Sequence, residues 1–327
     1  MNKNQRLWIC VFLAVCSLFL FSGCGSAPTP ATTPATAPNP KIINITYVKA
    51  PLNVPSIIQK KQQLFEREFG KDKIEVKFPE ITVGSKQTEA LAAGALDFTH
   101  ALGGTSAILA AANGVDLKII GIYSRAPKAF VVLAKDPAIQ KITDLKGKKV
   151  AGPKGTILHQ LILAALAKNG MKPGDIEFVS MDLPSSSAAL MNGSVAAALS
   201  AGPDAIRAEK AGARILTTGE GLVEATIVTA VRGEFLQKHP ALVKRFMQVH
   251  AASLEYIKIN LPGALSATAA ETGLPLEAVR QMFPLYDFNP AIKPSDIDEL
   301  KRTQDFLIQN GMLKKTIEIE KLIAPIK

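Results

Sequence analysis

The sequence predicts an α/β protein of two lobes, each a mainly parallel sheet flanked by helices, with a ligand cleft between them. Three observations carry this. From Ile42 onward short apolar strands alternate with longer amphipathic segments, the pattern of a parallel sheet wrapped by helices. A second unit of the same kind begins near Phe130. A β-branched run at Ala225–Val231 then leads the chain back to the first unit, so the chain crosses twice between the two.

In the first unit, Ile42–Val48, Ile74–Phe78, Leu96–Ala101 and Leu117–Tyr123 read as strands. Between them Val54–Phe69 reads as one helix with Ile57, Ile58, Leu64 and Phe65 on its apolar side. Ser85–Ala95 and Thr105–Asn113 are the other two helices, the last stopped at Gly114. In the second unit the strands are Phe130–Ala134, Val150–Ala151, Ile176–Ser180, Val195–Leu199 and Arg214–Leu216, and the helix Ile157–Asn169 closes at Gly170. The remainder is helical, over Ala241–Ile259, Pro262–Glu271, Pro275–Phe283 and Pro294–Asn310, with proline near several starts, where its missing N–H does no harm. The expected division is residues 41–126 plus 227–327 for lobe 1 and 127–226 for lobe 2.

The N-terminus carries a separate message. Lys3 and Arg6 precede an apolar run, Leu7–Phe21, that ends in Leu20-Phe21-Ser22-Gly23-Cys24. The run falls short of the about 20 helical residues that span a bilayer. A charged start, a short apolar core and small exit residues make a secretory signal, expected at 1–23. Its end resembles the lipobox of bacterial lipoproteins, in which the cysteine, here Cys24, receives a diacylglyceryl group. Two acyl chains anchor durably where one would be marginal. Residues 24–40, rich in Pro, Thr and Ala, cannot bury a core and read as a semi-rigid tether. At about 3 Å per residue it would lift the body by up to roughly 45 Å. The expected location is therefore the extracytoplasmic face of the cell membrane.

That processing limits the chemistry. The three cysteines are Cys10, Cys16 and Cys24, so the mature chain would hold no thiol pair, no free thiol nucleophile and no cysteine-ligated metal. The four histidines, His100, His159, His239 and His250, show no metal-ligand spacing, and there is no Gly-x-Ser-x-Gly elbow. No catalytic residue, metal or cofactor is expected. Net charge is +10, of which Lys3 and Arg6 carry two, and the basic residues stand mostly singly on helical stretches. With export, this points away from nucleic acid and toward solvated helix faces near an anionic surface.

Local motifs sharpen the reading. Thr88-Glu89-Ala90-Leu91-Ala92-Ala93-Gly94-Ala95-Leu96-Asp97-Phe98 is a helix, glycine, aspartate turn, echoed at Ala189-Leu190-Met191-Asn192-Gly193-Ser194-Val195. Ile142-Thr143-Asp144-Leu145-Lys146-Gly147-Lys148-Lys149-Val150 is followed by Pro153-Lys154-Gly155-Thr156. With Val54-Pro55-Ser56-Ile57-Ile58 and Ala111-Ala112-Asn113-Gly114, these pieces from Tyr47 to about Gly311 resemble the substrate-binding proteins of the sulfonate, nitrate and taurine ABC importers (SsuA/THI5-like, NMT1), including the thiamine-pyrimidine-precursor branch. The resemblance implies a periplasmic-binding-protein-like fold of type II, a monomer, and an ABC permease with its ATPase as partners.

Candidate ligand contacts follow from helix starts, whose free backbone N–H groups attract oxoanions. Gly84-Ser85, Gly104-Thr105-Ser106 and Gly155-Thr156 each place glycine and a hydroxyl where a strand ends and a helix begins, on facing lobes. The same hydroxyls would also serve as plain N-caps. His159 lies one turn into its helix. The resemblance adds a contact after the first strand, where Tyr47 and Asn53 stand, and one near the second crossover, where Asp204 follows a flat Ser200-Ala201-Gly202-Pro203. No arginine matches a bidentate sulfonate clamp, and Arg125 is the nearest candidate. The expected function is capture of a small, anionic, sulfonate-type solute by closure at hinges near Arg125–Ala129 and Val223–Val228. A thiamine pyrimidine precursor or another heterocycle as ligand, and solute sensing without import, are the other readings.

Overall fold

The computed structural model describes residues 38–50 and 52–326. The expected signal peptide at 1–23, lipidation at Cys24 and nearly all of the tether lie outside them. Among the described residues no helix is long and apolar enough to cross a membrane.

Among the described residues ten strands form: β1 (Ile42–Asn44), β2 (Glu75–Lys77), β3 (Phe98–Gly103), β4 (Leu117–Arg125), β5 (Phe130–Ala134), β6 (Lys149–Gly152), β7 (Glu177–Ser180), β8 (Ala197–Ala201), β9 (Arg214–Thr218) and β10 (Thr226–Arg232). The helices are α1 (Val54–Lys61), α2 (Leu64–Gly70), α3 (Gly84–Ala92), α4 (Gly104–Ala112), α5 (Ile157–Lys168), α6 (Leu183–Met191), α7 (Pro203–Lys210), α8 (Gly233–Lys238), α9 (Pro240–Ile259), α10 (Leu261–Thr272), α11 (Leu276–Met282), α12 (Pro294–Gln309) and α13 (Ile319–Leu322).

The strands make two sheets of the same plan. In lobe 2 the order is β7-β6-β8-β5-β9, with β5 antiparallel to β8 and β9 while β6 runs parallel to β7 and β8. In lobe 1 the order β3-β10-β4 has β10 antiparallel to both neighbours. Parallel β1 and β2 extend that sheet through the bridge Ile45↔Phe98. Each sheet is therefore parallel except for one strand, and that strand is the one arriving from the other lobe. The chain leaves the first sheet after Arg125, enters the second at Phe130, and returns between Thr218 and Thr226.

Alternation along the strands divides the core. In β5, Phe130, Val132 and Ala134 join one apolar cluster while Val131 and Leu133 join another beneath α6 and α7. In lobe 1, Phe98 and Val231 pack with Phe65, Phe69, Phe235 and Phe246 on one face, and Leu102 and Val228 with Ile108, Leu300 and Leu307 on the other. One cluster runs through both lobes, from Val54 and Tyr123 to Leu161 and Leu199, so the lobes share apolar contacts beside the crossovers.

The expected helix over Val54–Phe69 is broken at Gln62-Gln63, where Gln63 takes a left-handed φ of 50°. A continuous helix would line up Ile57, Lys61, Phe65 and Phe69, four residues apart. The break frees Lys61 to reach Glu271 at 3.7 Å while Phe65 and Phe69 stay fully buried. Three helices, α7, α8 and α13, were not anticipated, and of α6 only its end, in the turn at Ala189–Val195, was; α7 begins in the segment read as a flat opening.

Candidate functional site

A cavity of about 310 Å³ lies between the two sheets. Asn53, Val83, Gly103, Thr156 and Asp182, the residues that cap the starts of α1, α3, α4, α5 and α6, are all on its wall, as is Asp204 in the first turn of α7. Both sheets turn the carboxyl ends of their parallel strands toward this gap, and α-helices begin after β1, β2, β3, β6, β7 and β8, while β4 and β9 lead into the crossovers. The starts of α3, α4 and α5 carry no side-chain cap, so their first-turn N–H groups are left for a ligand or solvent. Three helix dipoles therefore place partial positive charge at the cavity without a cationic side chain.

The close approach of α3 and α4 requires glycine. A Cβ on Gly84 would lie 2.5 Å from Ser106 Oγ. Ala101, also on the wall, is the extra residue of a bulge in β3, since Val228 pairs Leu102 while Thr229 pairs His100. Its φ is 120°, a region that favours glycine. Strain of this kind costs on the order of 1–3 kcal/mol and collects at binding sites.

Asn53, Gly84, Ser106, Thr156 and Asp204 line the cavity. Asn53 is 2 % exposed and donates to Val48 O at 2.9 Å and Ala50 O at 3.0 Å, which fixes the loop at the cavity edge. Thr156 turns its hydroxyl back to Pro153 O at 2.8 Å. Ser106 Oγ donates to Gly155 O across the gap at 3.4 Å.

The remaining candidates lie off the wall. Arg125 is engaged elsewhere: its Nε and Nη2 meet the two carboxylate oxygens of Asp296, each at 2.6 Å, and Nη1 reaches Asp287 at 3.1 Å. Tyr47 is buried, donates to Glu271 at 3.0 Å and carries Lys60 over its ring, and burial first, then Glu271, raises its phenol. His159 packs 4.4 Å from the Phe178 ring and accepts the Gly155 N–H on Nδ1 at 3.3 Å. Burial, with Lys154 nearby, lowers it to about 4. Thr105 donates to Gln160 Oε1 at 2.8 Å, and Gln160 Nε2 donates to Thr303 at 3.1 Å, which ties α4 and α12 of lobe 1 to α5 of lobe 2. Gly104 neighbours that bridge, and Ser85 is exposed beside the cavity. Gly155, at φ 71°, shapes the turn before α5.

Sequence reasoning passed over Gln87, Ser124 and Asp182, all on the wall. Gln87 Oε1 and Ser124 Oγ are buried without a hydrogen-bond partner among the described residues. Asp182 accepts the Ser185 N–H at 2.8 Å, and hydrogen bonds from Ser185 hold its carboxyl below the ordinary range. Its signal was legible, because Asp-x-Pro-Ser is a helix start. Among the described residues, no group of histidine, cysteine and acid side chains is arranged to hold a metal.

The likeness to known proteins agrees with this geometry. A Bacillus subtilis (strain 168) protein named for aliphatic sulfonate binding is 28 % identical over 317 residues, which cover 96 % of this chain and 93 % of that protein. An Escherichia coli (strain K12) protein of the same name is 28 % identical over 293 residues, 87 % of this chain and 89 % of its own. The solved alkanesulfonate-binding protein SsuA of Xanthomonas axonopodis pv. citri, bound to MOPS, superposes with a TM-score of 0.79 at 25 % identity, covering 88 % of this chain and all of that one. The profile described as NMT1/THI5 like matches residues 69–262, more than half of the chain, and the chain belongs to that family of solute-binding proteins.

Proposed function

We propose that the chain is the extracytoplasmic solute-binding component of an ABC importer, anchored by lipid on Cys24. It takes up a small anionic organic solute of the sulfonate class and delivers the closed form to a permease. Lobe 1 is assigned to residues 41–126 plus 227–327 and lobe 2 to 127–226. The observation that carries the reading is the convergence of uncapped helix starts from both lobes on one cavity. Oxoanions are held at such starts by backbone N–H groups. The relatives' names, for aliphatic sulfonates, and the MOPS in one relative, itself a sulfonate, support the same class.

A thermal-shift panel tests it, with alkanesulfonates, taurine, nitrate, bicarbonate, pyrimidine precursors and aromatic carboxylates. The only tryptophan is Trp8, within the expected signal, so the readout is a dye or calorimetry. A ligand at 100 times its Kd adds about 2.7 kcal/mol. A rise in melting temperature with alkanesulfonates is expected, and silence across the anions would exclude the reading.

A further inference from the structure

We infer that Glu299 is a positioning residue for solute capture: from outside the cavity it grips the second crossover and holds the joint where the two walls meet. This rests on the reading of the cavity as a solute site closed by a hinge motion, and names the group that sets the hinge.

The second crossover is fastened at both ends with little between. At its lobe 2 end the Gly219 N–H is shared by Pro127 O at 2.9 Å and Phe130 O at 3.0 Å, which ties it to the first crossover. The N–H groups of Leu222 and Val223 both return to Gly219 O at 2.8 Å. At the lobe 1 end Thr226 already belongs to β10. Only Glu224 and Ala225 separate that turn from the strand, so rotation of the lobes at this crossover falls on their torsions. Ala225 is 2 % exposed and stands at φ 51°, in the left-handed region. A residue with a Cβ keeps such a conformation only where its surroundings impose it.

Glu299 of α12 supplies that constraint. It is 7 % exposed, and its Oε1 accepts the N–H of Glu224 at 3.2 Å, on the residue just before Ala225. Its Oε2 takes Nε and Nη2 of Arg302, one turn on, at 3.1 and 2.9 Å, which aims the carboxylate and leaves Oε1 to the crossover. On the other side of Ala225, Thr226 Oγ1 is buried without a partner among the described residues. A void of about 10 Å³ lined by Val223, Ala225, Thr226 and Glu299 adjoins the joint, and Thr105, Gln160 and Thr303 border it too. A strained backbone and an unpaired hydroxyl thus favour rotation of the joint, and a carboxylate of lobe 1 opposes it.

The test measures binding of hexane-1-sulfonate by calorimetry, and the ligand-free radius of gyration by small-angle scattering, on the mature protein. The variants are Glu299→Ala, Glu299→Gln and the double variant Ala225→Gly/Glu299→Ala. None of these positions is on the cavity wall. Glu299→Ala is expected to bind about tenfold more weakly and to have the larger radius. Glu299→Gln keeps an acceptor for the Glu224 N–H and should stay within about threefold of the parent. Glycine at 225 removes the cost of the left-handed φ, so the double variant should recover most of the lost affinity. Parent-like binding by Glu299→Ala, equal losses in Glu299→Gln and Glu299→Ala, or no recovery in the double variant overturns the inference and leaves the solute-binding reading standing. A parent protein silent to hexane-1-sulfonate and across the wider anion panel overturns both.

Discussion

The polar residues inside lobe 1 set how the protein responds to acid. His100 and His250 are 1 % and 0 % exposed, with His100 Nε2 3.1 Å from His250 Nδ1. Ser56, Tyr123, Gln59 and Ser253 complete the network around them. Burial lowers His100 well below its ordinary value and His250 to about 4. In the unfolded chain both titrate near 6.5, so the unfolded state binds more protons below that pH. Stability is therefore full above about 6.5 and falls toward pH 4, by about 1.4 kcal/mol per pH unit for each histidine. Denaturant titrations at pH 7.5 and 5 should show the loss, and His250→Gln should flatten it; an unchanged slope would show that the pair does not govern acid response. The same long-range pairing of polar groups explains which candidate residues spacing could reveal. Tyr47 and Arg125 look available in sequence, but their partners, Glu271 and Asp296, lie far along the chain. Gly84, Ser106 and Thr156, which line the cavity, were legible because a glycine with a hydroxyl before an apolar run marks a helix start locally, whereas Asn53 and Asp204 were suggested only by the family resemblance.

At the scale of elements, strands were more legible than helices. Runs such as Phe130–Ala134 are apolar on both faces because each side of a mainly parallel sheet is covered. The helices that escaped notice are short, or, like α6 with its Ser-Ser-Ser-Ala-Ala, offer no large apolar stripe; alanine and serine suffice where the packing partner is the nearby β8 strand. Close approach of elements makes two glycines indispensable for different reasons. A Cβ on Gly152 of β6 would lie 2.5–2.7 Å from three atoms of Leu199 in the β8 core. Gly152→Ala should cost about 1–3 kcal/mol in denaturant unfolding. Gly84→Ala meets only Ser106 Oγ and Cβ closely, at the edge of the cavity. It should leave the unfolding midpoint nearly unchanged and weaken the ligand-induced thermal shift by pushing α3 and α4 apart. A large midpoint loss there would assign Gly84 to stability and not to the site.

Across the whole molecule, the bridge Thr105–Gln160–Thr303 is a buried side-chain tie between the lobes, beside Ser106 to Gly155 O and Glu224 N–H to Glu299, and Gln160 is 6 % exposed. Closure of two lobes on a solute draws its free energy from contacts made only when they meet. Gln160→Ala removes the tie and leaves two threonine hydroxyls without it, at a cost of about 1–3 kcal/mol. Small-angle scattering of the ligand-free variant should report a larger radius of gyration than the parent protein. An identical radius would show that the other contacts set the spacing of the lobes.

The placement of β10 has a consequence in time. It is the central partner of both β3 and β4, yet Thr226–Arg232 emerges from the ribosome about a hundred residues after β4 ends. Until then β3 and β4 present open edges, while all five strands of the second sheet are already in hand. The middle of the chain thus completes its sheet first, and the N-terminal strands wait for β10. Such long-range closure is slow, and the first sheet cannot close until Arg232 has been made, well after the second sheet has all of its strands.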